Sequence, residues 1–234
     1  MKVEAVKVRR LYIEVATQIE AQLRNGSIRP GERLPSERDL AVRFEVSRPT
    51  IREAMIALEI AGLVEIRTGS GIYALEQNEL SGAQLDDAPG PFEVLEARLL
   101  VEPEVVSLAA ARISDEQLEI LEQAIHTMDN SLASEKEKEQ ADERFHSTIA
   151  TATGNSALES YVKWLWGLRN QSALSSTFHQ RLRDLGVHPY VDEHRKILNA
   201  LKARDPSRAR LAMHVHISNA IEQDMNAIQL DENS

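Results

Sequence analysis

The sequence predicts a mostly α protein in two parts: an N-terminal winged helix-turn-helix followed by a C-terminal all-α antiparallel helical bundle. Three observations lead there. Short capped helices and a glycine-tipped hairpin fill residues 1–76, helical periodicity runs almost unbroken from residue 92 onward, and the charge balance differs between the two parts. The chain of 234 residues carries 27 Lys+Arg against 37 Asp+Glu, a net charge of -10, yet residues 1–76 hold 12 basic against 11 acidic side chains, and the remainder holds 15 against 26. Ten of those 12 N-terminal basic residues are arginines, the side chain best suited to bidentate contact with phosphate and guanine.

The elements follow in order. Leu11, Val15, Ile19 and Leu23 recur every four residues and make one face of a helix that Asn25-Gly26 stops. Pro30-Gly31 is a turn. Ser36 caps a short helix with Leu40, Ala41 and Phe44 on its inner side, and Ser47 caps the next, which runs through Ile51, Ala54, Met55 and Leu58 to Ala61-Gly62. Leu63–Arg67 and Gly71–Leu75 read as strands around the tip Thr68-Gly69-Ser70. Residues 77–91, rich in Gly, Pro and acids without apolar period, form a linker. Residues 92–230 read as six helices: Phe92–Arg112, Ser114–Ser131, Lys136–Thr153, Asn155–Ser172, Tyr190–Ala203 and Pro206–Ile228. Residues 231–234 are a frayed tail.

Composition narrows the chemistry. With no cysteine, disulfides, thiolate metal sites and thiol nucleophiles are excluded, so any metal must be held by His, Asp or Glu. No apolar run approaches the roughly 18 to 20 residues of a membrane helix, and the first residues lack the core of a signal peptide. The expectation is a cytoplasmic protein with no membrane partner.

Two short helices joined at Phe44-Glu45-Val46, the second with Arg and Thr near its start, match the arrangement in which a recognition helix enters the major groove N-terminus first. Arg48, Thr50 and Arg52 are the candidate reading residues, Arg38 on the supporting helix reaches a phosphate or base edge, and Thr68-Gly69-Ser70 is small enough for a wing to approach the backbone. An Arg-rich helix alone reads first as a solvated face; the succession of helix, turn, helix and hairpin reverses that. The run GERLPSERDLAVRFEVSRPTIREAMIALEIAGLVEIRTGSGIYAL resembles the winged helix-turn-helix of the GntR family of transcription regulators over about 45 residues. The resemblance implies DNA contacts by Arg38, Arg48 and Arg52, with Ser47, Pro49 and Thr50 at the groove and Thr68-Gly69 at the wing tip. Pro49 stands where many members have Thr, and it offers no hydrogen-bond donor.

In the second part Asp142 and His146 lie four positions apart, one helical turn on one face, while His194 and His216 are each followed by apolar residues in register that turn them inward. Singly, each reads first as a surface or core residue, and the Asp142–His146 spacing recurs in any acidic helix; three imidazoles and a carboxylate from three helices could nonetheless converge on one ion. The patterns DxxxFH before an ATGN turn, EH with an apolar residue three on, and AMxxHI near the end resemble the FadR-type ligand-binding domain in its metal-binding subset, which implies Asp142, His146, His194 and His216 as ligands. Zinc is the first expectation, with nickel and manganese as alternatives. His214, His126, His179 and His188 have no such support.

The resemblance also places Arg98 and Arg169 on helices lining an effector cavity, suited to two-point contact with a carboxylate. Asn219, about a turn beyond His216, is a candidate for a sugar hydroxyl, and of Trp164 and Trp166 one belongs to the core while the other can stack on a sugar ring. DDAPGPFEVLEARLLVEPEV, RRLY and the IREAM run resemble most closely the repressors of hexuronate utilisation, which implies glucuronate, galacturonate or a related sugar acid as inducer; the longer C-terminal tail associated with those repressors is lacking. The expected partners are palindromic double-stranded operator DNA, a small carboxylate and a second copy of the chain. The alternative is a metal-dependent enzyme acting on a small carboxylate. It is disfavoured because Glu143 and Glu193, adjacent in sequence to ligands, point away from them and leave no general acid or base.

Overall fold

The computed structural model describes residues 10–67, 69–76, 88–187 and 190–227, so the bulk of the expected linker, Thr68, His188 and the tail lie outside the described residues. The chain forms two compact units. One extends to Phe92 and takes in Gln171–Phe178, a segment that a linear division assigns to the second part; the other comprises Glu93–Asn170 and His179–Ala227. Among the described residues no helix is long and apolar enough to cross a membrane.

In the first unit α1 (Leu11–Arg24) buries Tyr12, Val15, Ala16, Ile19 and Leu23, but Leu11 stays 62% exposed. A strict four-residue step rotates by about 40° each time on a helix of about 100° per residue, so after three steps Leu11 has left the stripe and Tyr12 replaces it. α2 (Glu37–Phe44) starts on Ser36, whose hydroxyl accepts from the Asp39 N–H at 3.1 Å, and closes at Glu45 in the left-handed region. α3 (Arg48–Ile60) starts on Ser47, which accepts from the Thr50 N–H at 3.3 Å. Pro49 falls in its first turn, where an N–H has no intrahelical acceptor, so the missing donor costs the helix nothing. Gly62 closes the following turn with φ 70°.

β1 (Val64–Arg67) and β2 (Gly71–Ala74) pair antiparallel from Val64↔Ala74 to Arg67↔Gly71, and Arg33 adds a bridge to Tyr73. The tip turns through Gly69 at φ 72°. α3 reaches the start of α4 (Pro91–Ala110): the Phe92 N–H donates to Glu53 Oε1 at 2.8 Å. Gly90 passes so near this carboxylate that a Cβ there would lie 2.3 Å from Oε1. The Phe92 ring meets Phe178 edge-on at 5.2 Å.

The second unit is all helical: the rest of α4, then α5 (Asp115–Asp129), α6 (Glu135–Ala152), α7 (Ser156–Gly167), the end of α8 (Ala173–Asp184), α9 (Val191–Lys202) and α10 (Pro206–Ala227). Its core gathers Val106, Ile113, Leu121, Phe145, Ile149, Val162, Trp166, Ile197, Leu201, Met213 and Ile217. A capping box joins Ser114 to Gln117 in both halves, at 3.2 and 3.0 Å, and a second one joins Ser134 to Glu137. Asn155 caps α7, but that helix stops at Gly167 and gives way to a 3-10 turn at Leu168–Asn170, short of the expected Ser172. α8 fills the expected gap between Ser172 and Tyr190, with Leu174, Phe178 and Leu182 buried at four-residue spacing.

Candidate metal centre and DNA-reading face

On the first unit the N-terminus of α3 presents Ser47 and Arg48 to solvent with Pro49 and Thr50 half-buried, Arg38 is exposed on α2, and Gly69 sits half-buried at the wing tip. Arg52 departs from the expectation. It is wholly buried, its guanidinium on Glu37, so a contact with DNA requires that pair to open. On the wing, Tyr73 holds Ser70 through a 3.0 Å hydroxyl contact and carries the Arg67 guanidinium 4.4 Å from its ring centre.

In the second unit Asp142 and His146 rise from α6, His194 from α9 and His216 from α10, all buried, each offering a ligand atom within 4.8 Å of the others. The rings of His194 and His216 lie 4.3 Å apart, and those of His146 and His216 5.3 Å. Each imidazole is anchored by its other nitrogen. His146 Nδ1 meets Glu102, His194 Nδ1 meets the Tyr190 carbonyl at 2.9 Å, and His216 Nδ1 meets Glu193 at 3.1 Å. Carbonyls and carboxylates only accept, so Nδ1 holds the proton and Nε2 is left with its lone pair. His194 Nε2 then faces Asp142 Oδ1 at 2.9 Å, a juxtaposition of lone pairs that only a proton or a metal cation can bridge. The donor set therefore fits a divalent cation of the nitrogen-and-oxygen type.

The electrostatics favour a cation at most of these groups. Burial works to raise the Asp142 carboxyl, but its contacts with His146 and His194 hold it well below its usual range. Burial pushes the His216 imidazole down to about 4, with His194 adding to the effect. Glu102 is pulled up by burial yet held at about 2 by Arg98 and His146. These three favour the ionisation states a metal needs; His146 differs, since burial works to lower its imidazole but Glu102 and Asp142 hold it above its usual value, so a cation competes with a proton there.

Arg98 is buried, with Nε on Glu102 at 2.6 Å and Nη2 3.5 Å from His146 Nε2. Arg98 and Arg169 both lie over the indole of Trp166, at 4.1 and 4.9 Å from its centre, and Arg169 comes within 3.9 Å of Asp142. The buried Trp166 Nε1–H has no hydrogen-bond partner among the described residues. Trp164 is half exposed beside Tyr161. Asn219 donates to Glu193 and so holds the acceptor of His216; that amide is already engaged. His214 and His126 are exposed, and His179, half-buried, is outside the cluster.

Three participants escaped the sequence reading. Glu102 could have been found from its i, i+4 spacing to Arg98, which makes a helical ion pair. Glu193 does point away from its neighbour His194, but it points to His216 on the adjacent helix. Asp224 on α10, which burial pushes up to about 7 against the pull of Arg169 and Arg98, had no motif to mark it.

Comparison with known proteins places both units. Residues 11–74 match the family model described as bacterial regulatory proteins, gntR family, and residues 93–219 match the FCD domain. The Uxu operon transcriptional regulator of Escherichia coli K12 is 36% identical over 239 residues, covering 97% of this chain and 92% of that protein. The Exu regulon transcriptional regulator of the same organism is 34% identical over 221 residues, covering 92% and 85%. A crystal structure of a GntR family member from Pseudomonas syringae pv. tomato shares the fold with a TM-score of 0.51 at 18% identity, covering 94% of this chain and 86% of that one.

Proposed function

This chain belongs to the GntR family of bacterial regulatory proteins, in the branch that carries an FCD domain, and on that premise we propose that it represses genes of hexuronate catabolism and leaves its operator when a sugar acid binds the second unit. It is a DNA-binding transcription regulator and not an enzyme. The division into a DNA-binding domain at 1–76, a linker at 77–91 and an effector domain at 92–230 is part of the proposal, as are a cytoplasmic setting, two-fold self-association and a palindromic operator. Leu100 on α4 and Leu211 and Val215 on α10, exposed around the Arg210–Glu104 ion pair, support the self-association. The names of the Uxu and Exu relatives support the effector class.

The observation that carries the effector reading is the convergence of Asp142, His146, His194 and His216 beside Arg98 and Arg169. A divalent cation, zinc first, held by those four ligands would supply an electrophile with an open position for a carboxylate oxygen. Glu102, the Tyr190 carbonyl and Glu193 keep the imidazoles oriented. Arg98 and Arg169 then supply donors for an anion, and burial around Trp166 excludes water that would weaken those contacts. Release from DNA follows only if the sugar acid binds the DNA-incompetent arrangement more tightly than the competent one.

Fluorescence anisotropy on labelled DNA from upstream of a hexuronate catabolism gene tests this, with metal-loaded protein titrated by glucuronate, galacturonate and lactate. Release by a hexuronate at concentrations where lactate has no effect supports the reading; tight binding that no hexuronate disturbs overturns the effector assignment.

A further inference from the structure

Glu37 opens α2, yet its carboxylate is only 2% exposed, an unusual place for an acid in a motif that approaches a polyanion. Its two oxygens are divided between two arginines of α3 that stand one turn apart. Oε1 accepts from Arg48 Nε at 2.9 Å, and Oε2 accepts from Arg52 through Nε at 3.2 Å and through Nη2. The two partners differ in environment. Arg52 is 0% exposed, whereas the Arg48 side chain is 58% exposed. Arg48 is thus anchored at Nε, and its two Nη groups have no partner among the described residues.

We propose that Glu37 is a positioning residue that aims the outer end of Arg48 at DNA, and that Arg52 is its buried counter-charge. The physics of each part is distinct. A buried carboxylate needs a cation beside it to offset the loss of its hydration; Arg52 supplies that from within the fold at Oε2 and leaves Oε1 for Arg48. A guanidinium fixed at Nε has surrendered most of its rotamer freedom before DNA arrives, so less is lost when the fork meets a base or phosphate. The three groups carry a net single positive charge, and it is displayed at the exposed Arg48. This rests on the reading that the start of α3 faces the operator.

Anisotropy of the full chain on operator and on a scrambled duplex of equal length tests it with four proteins: wild type, Arg48→Ala, the double variant Glu37→Gln/Arg52→Met, and the triple combination. The double variant replaces a buried ion pair with neutral groups of similar volume, an exchange that folds generally survive. Arg48→Ala is expected to cut the preference for operator by roughly 5- to 150-fold, the worth of a good bidentate contact. The double variant should lose most of the same preference with Arg48 intact, and the triple variant should lie within about twofold of it, because a mis-aimed arginine has little left to remove. Full additivity of the Arg48 loss in the triple variant, or wild-type preference in the double, overturns the proposal. Should the double variant fail to unfold cooperatively, Glu37→Asp takes its place: it keeps the charge beside Arg52 but shortens the reach, and it should show the same loss; preference as in wild type refutes the relay. Wild-type protein that binds both duplexes equally removes the reading of α3, and this proposal with it.

Discussion

Replacing Glu102 by Gln is the most informative single change to the candidate metal centre. The carboxylate is 3% exposed at its side chain and joins two roles, one oxygen on Arg98 Nε and the other on His146 Nδ1. Its pKa, raised by burial but lowered further by Arg98 and His146, is about 2 against an ordinary 4.5. Because the folded value is the lower, the associated stability is complete above pH 4.5 and is lost as pH falls towards 2; at about 1.36 kcal/mol per pH unit it amounts to roughly 3 kcal/mol. Glutamine keeps the shape and one acceptor but leaves a buried guanidinium without its counter-charge, which costs about 3–5 kcal/mol where such pairs have been broken. The metal-free variant should therefore lose about that much stability at pH 7 and should lack the part of the acid transition between pH 4.5 and 2. A carboxylate that orients a ligating imidazole also strengthens it, so affinity for zinc should drop by about 10- to 100-fold. Urea denaturation across pH and competition with a chromophoric chelator read the two effects. Zinc affinity within twofold of wild type, together with an unchanged acid transition, would refute the reasoning.

Three further outcomes are expected. His216, held at about 4 chiefly by burial, stays neutral in the folded chain below its ordinary 6.5; the unfolded chain takes up the proton first, so metal-free stability falls as pH drops from 6.5 to 4, by roughly 3 kcal/mol, and His216→Asn should flatten that part of the curve. Glu45 closes α2 at φ 56°, where an L side chain costs about 1–2 kcal/mol, so Glu45→Gly should raise the midpoint of thermal unfolding of the first unit by several degrees in calorimetry. Gly90→Ala forces a Cβ against the Glu53 carboxylate and should destabilise the first unit by about 1–3 kcal/mol, whereas Gly154→Ala, whose Cβ would meet nothing within 4 Å, should cost only its left-handed backbone strain; paired melts separate the two.

The helix-turn-helix was legible because its signals are local: Ser36 and Ser47 cap by contacts three residues away, and Gly62 closes a turn within five. The grouping of Asp142, His146, His194 and His216 was legible mainly through the resemblance: spacing sets Asp142 and His146 on one face and each lone histidine sits beside an apolar stripe, but such a histidine taken singly reads as a surface or core residue. What holds those residues was not. Glu102, Tyr190 and Glu193 reach their imidazoles across separations of 44, 4 and 23 positions, and only the carbonyl bond lies within one turn of chain. Glu193 is instructive: adjacency on a helix turns it about 100° from His194, and that direction is where α10 brings His216. Arg52 misled for the opposite reason. On α3 the buried face is wide enough to take in Ile51, Arg52, Met55 and Ile56, and no pattern in one sequence says that an arginine there finds an acid from α2. The Ser-rich start of α8 concealed a helix whose apolar spacing was plain only further along.

These placements bear on what an incoming carboxylate has to do. Arg98 is not waiting in solvent: it is committed to Glu102 through Nε, rests on the Trp166 face and approaches His146 through Nη2. Arg169 lies near two carboxylates, Asp142 and Glu139, at 3.9 Å without a close bond to either. An anion at this site would therefore gain most from Arg169, whose present contacts are loose, and could engage Arg98 only through the outer end that Glu102 does not use. Asp224 sits within the field of the same two arginines with a pKa near 7, so a ligand carboxylate drawing on those cations would favour its neutral, donating form. A hydroxylated acid offers acceptors for that donor and for the Trp166 Nε1–H, which has no partner among the described residues; a simple short-chain carboxylate does not. The comparison that discriminates is Asp224→Asn against Asp224→Ala: the amide retains a donor and should keep the preference for hexuronate over acetate, measured by calorimetric titration of the metal-loaded protein, while alanine should lose about 1–3 kcal/mol of it. Equal losses in the two variants would mean that Asp224 shapes the site without addressing the ligand.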